Sequence, residues 1–300
     1  MSDDVALTFD GMPTRLWSCT PTKLDTWLSC PRRFRFTYLD RKPKGQPWAH
    51  NSVGSSVHNA LRDWWLLPVE RRTTGAASDL VTRNFLTDGF RDDKQIGHWR
   101  ERAAGMTEAY VAHLDPADEP AGVERTVSTT THGMALSGRV DRIDRRASDD
   151  GGDELVVVDY KTGRRPLTEA DARSSLALAV YVVGASRTLR TRSRRVELHH
   201  LPTGTVAAHD HTPESIERHL TRAGEIAIEA SAAEAVWKER LAPLAEDASA
   251  GDADAVEAID AHFPPKPGPS CSWCDYRRWC PSGRDASSET TPWSGLADTD

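Results

Sequence analysis

The sequence predicts an α/β domain: a mixed sheet flanked by helices. Three observations carry that reading. Up to about position 115 the apolar residues recur at helical spacing, as Val57, Leu61 and Trp64 or Trp65 do. From position 122 the period shortens to two. The order from there is strand, strand, strand, helix, strand pair, long helix, which calls for a sheet covered on both faces.

The elements follow in order. Thr20-Pro21 is a helix start, with Thr at the N-cap and Pro at the first helical position, and the helix runs to about Ser29, before Cys30-Pro31. Residues 54–67 form the next helix, and further helical stretches fall near 78–91 and 97–114. Residues 122–146 read as two β-branched runs joined at His132-Gly133, a hairpin. A second turn falls at Asp149-Asp150-Gly151-Gly152, and the strand Leu155 to Val158 is apolar on both faces, so it belongs in mid-sheet. Residues 168–189 form a helix, 196–209 a strand pair, and 213–240 a long helix. This divides the chain into a flexible lead-in at 1–17, one folded domain at 18–281 and a disordered polar tail at 282–300. Within the domain lie a helical part at 54–115 and a core at 122–240.

Three hundred residues with 38% hydrophobic and 28% charged residues exclude wholesale disorder. The longest apolar run, Leu176 to Val183, is far too short for a bilayer span. The opening MSDDVALTFDG lacks the apolar region of a signal peptide, so a cytoplasmic, non-membrane protein is expected. The net charge of −7 conceals a local contrast. Residues 31–50 carry six Lys/Arg against one Asp, and residues 246–260 carry six acids and no base. Only the local field matters to a phosphate backbone.

The densest chemistry lies in Gly138-Arg139-Val140-Asp141 and in Val158-Asp159-Tyr160-Lys161. Asp159 and Lys161 share a face because side chains alternate along a strand, and Asp141 lies on the strand expected beside them. Two carboxylates at neighbouring strand positions suit a hard divalent ion such as Mg²⁺. A lysine on the same face can orient a water or neutralise charge building at phosphorus. An ordinary strand-end salt bridge is the competing reading for Asp159 and Lys161.

The cysteines form a second constellation. Cys271, Cys274 and Cys280 are spaced C-x₂-C-x₅-C, and Cys30 lies far upstream. Four thiolates suit an iron–sulfur cluster or a structural zinc. Cys19 stands apart, as a buried thiol. Arg32, Arg33 and Arg35 interleave with Phe34 and Phe36, the composition of a single-strand groove, and Arg164-Arg165 follow Lys161 directly. A solvated arginine face over aromatic core is the alternative there.

With G-x-x-x-H at Gly54–His58, then G-R-V-D-R-I-D and V-V-D-Y-K-T-G, the chain resembles the PD-(D/E)XK nuclease superfamily, specifically its RecB-like exonuclease branch, from about residue 18 to 281. The resemblance implies a restriction-endonuclease-like fold with an N-terminal helical region. It implies His58, Asp141, Asp159 and the Tyr160 carbonyl as ligands of Mg²⁺ or Mn²⁺, with Asp141, Asp159 and Lys161 catalytic. It also implies a 4Fe–4S cluster on Cys30, Cys271, Cys274 and Cys280, clasping the chain ends and shielded by Trp273 and Trp279. The implied substrate is DNA, as single strands or duplex ends, in repair or recombination. No P-loop occurs, so any helicase would be a separate partner. The family's Q-x-x-x-Y falls on Ala177 and Tyr181: the Gln is absent, and Tyr181 is either a retained DNA contact or core on an apolar helix face. That departure leaves open a non-catalytic DNA-binding subunit; a zinc-stapled interaction protein is the other alternative.

Overall fold

A computed structural model describes residues 16–148, 151–243 and 253–296. The expected mixed sheet flanked by helices is present. The first strand, β1 (Trp17–Cys19), leads into α1 (Pro21–Ser29). Thr20 caps α1 by accepting the Lys23 N–H at 3.1 Å, with Pro21 at its first position. A short α2 (Pro31–Phe34) continues as a π turn at Arg35–Leu39. Three helices follow: α3 (Ala49–Trp65), α4 (Thr74–Arg83) and α5 (Asp93–Val111).

The hairpin is β2 (Gly122–Thr131) with β3 (Met134–Ala147). His132 and Gly133 between them both take positive φ, 47° and 71°, as a two-residue hairpin turn of this hand demands. Then come β4 (Asp153–Lys161), α6 (Glu169–Ser174), α7 (Leu176–Leu189), β5 (Ser193–His200), β6 (Thr205–Asp210) and α8 (Pro213–Val236). α9 (Ala253–His262) begins within the acidic stretch, and α10 (Pro281–Ala286) follows.

The sheet order is β1-β3-β4-β5-β6, with β2 also on β3. β4 pairs parallel with β5 and antiparallel with β3, so it is central. Its side chains serve both layers by alternation. Val156, Val158 and Tyr160 pack under α3 and α5. Leu155 and Val157 pack under α7 with Val127, Val140 and Leu178. A third cluster gathers α1, α8 and α9 around Phe34 and Phe263.

The edge of β3 facing β4 forks. β1 takes Met134–Leu136 and β4 takes Arg142–Ala147, so positions 137–141 have no strand neighbour there among the described residues. Asp141 stands at the mouth of that fork.

Several boundaries differ from expectation. β1 is too short to show a period. The helix expected at 54–67 begins at Ala49, and the one expected at 168–189 breaks at Ser175, which caps α7 by accepting the Leu178 N–H. The long helix leaves α geometry at Trp237–Leu241. The expected disordered tail instead carries α10 and a turn ending at Leu296, which is buried against Ala49 and Val53. Trp17 of the expected lead-in is in β1, while residues 1–15, Asp149-Asp150, part of the acidic stretch and the last four positions of the expected tail, 297–300, lie outside the described residues. Among the described residues no helix is long and apolar enough to cross a membrane.

Candidate active site

The fork in the sheet opens into a cleft of 1220 Å³. His58, Asp141, Tyr160 and Lys161 all line it. Gly54 permits this convergence: a Cβ there would stand 3.2 Å from Thr162 Oγ1, so α3 can run close past the end of β4. One turn on, the His58 ring points Nδ1 at Asp141 Oδ1 (3.4 Å) and Nε2 at the Tyr160 carbonyl (3.2 Å). Asp141 Oδ2 accepts the Tyr160 N–H at 2.8 Å, so its carboxylate takes the place of a missing ladder acceptor. The Tyr160 ring is held from behind. Arg142 donates to its hydroxyl at 3.3 Å and to that of Tyr110 at 3.2 Å, and Tyr110 bonds His199 at 2.7 Å.

Lys161 Nζ lies 2.5 Å from Asp159 Oδ2. Burial pushes the Asp159 carboxyl above its usual range, and the Asp141 charge adds to this against the opposing Lys161. Burial alone would lower the His58 imidazole, but its hydrogen bond to Asp141 and the charges of Asp141, Asp159 and Glu124 raise it.

Glu124 is a residue that the sequence reading missed. Val123 pairs with Arg142 and Arg125 with Val140, so Glu124 stands opposite Asp141 across the hairpin. It does so at φ 46°, a conformation costing a side-chain-bearing residue roughly 1–3 kcal/mol. Like charges directly opposite on paired strands are destabilising. Burial and the Asp141 charge both raise the Glu124 carboxyl. The sequence held the signal: a two-residue turn at His132-Gly133 fixes the register that sets 124 against 141. Ligand atoms of His58, Glu124 and Asp141 lie within 4.8 Å of one another, the one such group among the described residues. An imidazole with two carboxylates fits a divalent cation, which would relieve the repulsion.

Tyr181 also lines the cleft, packed so tightly on β3 that a Cβ at Gly138 would lie 2.4 Å from its Cε1. Burial, then Asp159 and Asp141, push its hydroxyl up to about 12. Arg164 and Arg165 line the same cleft, and Arg165 also pairs with Asp171 at 3.2 Å. Arg32 and Arg35 do not join them. Arg32 is buried against Asp260 and Ser282, and Arg35 pairs with Asp40 at 3.3 Å beneath Trp237. Arg33 is exposed beside Trp48 and Trp273.

A family model for the PD-(D/E)XK nuclease superfamily matches residues 18–281. The chain belongs to this superfamily. No curated protein matches it in sequence. A solved structure from Eubacterium rectale, provisionally designated an exonuclease, is similar at 9% identity and a TM-score of 0.45, over 92% of this chain and 90% of that one. Asp159-Tyr160-Lys161 has the acid–x–lysine form that the superfamily's name describes, and it ends β4 beside the fork from β3.

The four cysteines Cys30, Cys271, Cys274 and Cys280 line one pocket. Lys266 donates its N–H to Cys30 Sγ at 3.5 Å, and Arg32 its guanidinium to Cys280 Sγ at 3.7 Å. No three of these sulfurs fall within 4.8 Å of one another. Thiolates around one zinc at ~2.3 Å would sit closer than that. Trp273 and Trp279 do not cover the pocket, contrary to expectation; Phe36 and Tyr276 line it. Cys19 is buried as expected, which pushes its thiol up to about 11.

Proposed function

We propose that this chain is a metal-dependent DNA nuclease of the RecB-like exonuclease branch, acting in DNA repair or recombination. One observation carries the reading: two carboxylates, an imidazole and a main-chain carbonyl face one cleft beside the Asp159–Lys161 pair. His58, Asp141, Asp159, Glu124 and the Tyr160 carbonyl would hold Mg²⁺ or Mn²⁺. Such an ion polarises a phosphoryl oxygen and lowers the pKa of water. Asp141 is held in place by the Tyr160 N–H before any ligand arrives. Lys161 presents its ammonium to charge building on the phosphoryl oxygens, and Asp159 keeps that ammonium oriented. Arg164 and Arg165 supply phosphate contacts, and Tyr181 a wall for the nucleotide.

The thiol pocket supports a 4Fe–4S cluster on Cys30, Cys271, Cys274 and Cys280. Thiolates spaced too widely for one ion, with N–H groups directed at two of them, suit a cluster whose core lies between. The protein itself already joins these segments: Gly45 donates to the Asp275 carbonyl at 2.9 Å and Arg278 to that of Pro43 at 3.0 Å.

Purified protein with Mn²⁺ or Mg²⁺ and end-labelled DNA tests the reading. Cutting is expected in the wild type and lost in Lys161→Ala, by about 10²–10³-fold. DNA binding without cutting in the wild type would instead favour the non-catalytic subunit that Ala177 allows. A colourless protein holding one zinc would replace the cluster by a zinc staple.

A further inference from the structure

The cleft extends beyond the carboxylates to an aromatic wall. Trp273, within the Cys271–Cys274 loop, lines the cleft together with His50 of the first turn of α3. The two rings meet edge-on at 5.8 Å, and Trp48 meets Trp273 at 5.1 Å, tilted by 53°. Trp48 is fixed by donating to Asp275 Oδ1 at 2.9 Å, so the loop and the helix start form one rigid corner. Gly295 braces it: a Cβ there would stand 2.8 Å from His50 Nδ1 and 3.4 Å from the Trp273 ring. Neither neighbouring ring lies face to face with Trp273, and 39% of the Trp273 surface stays exposed.

A packed apolar ring has little reason to stay open in such a corner. Trp279 in the same segment is as exposed, at 42%, and differs in its partners: Lys42 and Arg278 lie over its ring at 5.3 and 4.9 Å, and its N–H is used by the Pro43 carbonyl. Trp273 has no cation over it among these contacts. Arg33 lies beside it in a side pocket with Asn51, supplying positive charge next to an open π face.

We propose that Trp273 is a stacking platform for an unpaired nucleobase, and that the strand enters the cleft single-stranded over the cysteine loop. This rests on the nuclease reading of the same cleft and assigns the side chain that would hold a base there. An aromatic face can take a base only when that base has a free face of its own. An interior base of a duplex has both faces covered by neighbouring pairs, so among internal positions only an unpaired base can reach the platform. Arg33 then meets a phosphate of the stacked nucleotide, and Arg164 a phosphate nearer Lys161.

The test uses the full chain in EDTA, which prevents cutting, with single-stranded oligonucleotides carrying one 2-aminopurine at successive positions. Stacking on indole quenches this base. Quenching confined to one position is expected in the wild type, lost in Trp273→Ala and largely kept in Trp273→Phe. Affinity should fall about tenfold in Trp273→Ala. Equal fluorescence in wild type and Trp273→Ala, or loss in Trp273→Phe as complete as in Trp273→Ala, would overturn the platform. Hydrolysis of bis-nitrophenyl phosphate by the wild type with Mn²⁺, a substrate with no nucleobase, separately judges the nuclease reading. Quenching without that hydrolysis would leave a single-strand-binding platform on a protein that does not cut.

Discussion

The Asp141 carboxylate accepts the main-chain N–H of Tyr160 at 2.8 Å, across the point where β4 leaves β3. One side chain therefore both closes the sheet ladder and faces the cleft. Its charge raises the carboxyls of Asp159 and Glu124, so the acidic site is assembled against repulsion.

Asp141→Asn keeps an acceptor for the Tyr160 N–H while removing that charge. In EDTA the variant should melt no lower than the wild type. Mn²⁺ at a hundredfold excess over its Kd should stabilise the wild type by about 2.7 kcal/mol and leave the variant unmoved. Thermal melts with and without Mn²⁺ decide it; equal stabilisation of both proteins would remove Asp141 from the metal site.

Gly138→Ala tests the contact beneath Tyr181. The added methyl would sit 2.4 Å from Cε1, so the ring must leave its place. Overpacking of this kind costs roughly 1–3 kcal/mol. In a Tyr181→Ala background the same change should be nearly neutral. Urea unfolding of the four-protein cycle reads the coupling, and simple additivity would show that the ring had moved freely.

A cluster held by Cys30, Cys271, Cys274 and Cys280, as proposed above, would close a loop of more than two hundred residues. Cys274→Ser should abolish a broad absorption near ~400 nm, as expected of thiolate-bound iron–sulfur clusters. It should lower stability by roughly 2–4 kcal/mol, the scale of other long-loop cross-links. Iron analysis with a melt checks both, and a variant as coloured and as stable as the wild type would clear Cys274 of any ligand role.

His211 provides a pH dependence remote from the cleft. It is buried and bonded to Ser215 at 3.0 Å, with His209 and His219 packed against it. Burial first, then those two imidazoles, lower it from 6.5 to about 4. The unfolded chain thus binds the proton more readily between these values, and stability present above pH 6.5 is lost as the pH falls towards 4. The loss should reach about 3 kcal/mol at most. His211→Asn should flatten this part of the urea-midpoint profile; an unchanged slope would locate the titration elsewhere.

Much of the site was legible because period-two alternation tells which residues share a face. Asp159 with Lys161 on a buried strand, the hairpin at His132-Gly133, and the helix carrying His58 all follow from local pattern. Glu124 was not read, although the turn determines its partner, because a lone acid in a β-branched run carries no local mark. Arg32 and Arg35 misled for a related reason. Their spacing among aromatics fits a groove, but Arg32 pairs with Asp260 across 228 positions, and Arg35 turns back on Asp40 at the end of its own π turn. The polar tail likewise gave no sign that Leu296 would find a buried seat.

The Lys266 N–H reaches the Cys30 sulfur over 236 positions, and Leu296 seats against the start of α3. Contacts so distant in sequence form late, after the intervening loop has been closed. A ribosome part-way through this message therefore carries the acids and the lysine without the Trp273 wall or its bracing turn. The growing polypeptide acquires a finished groove only once α9, α10 and the turn ending at Leu296 have emerged.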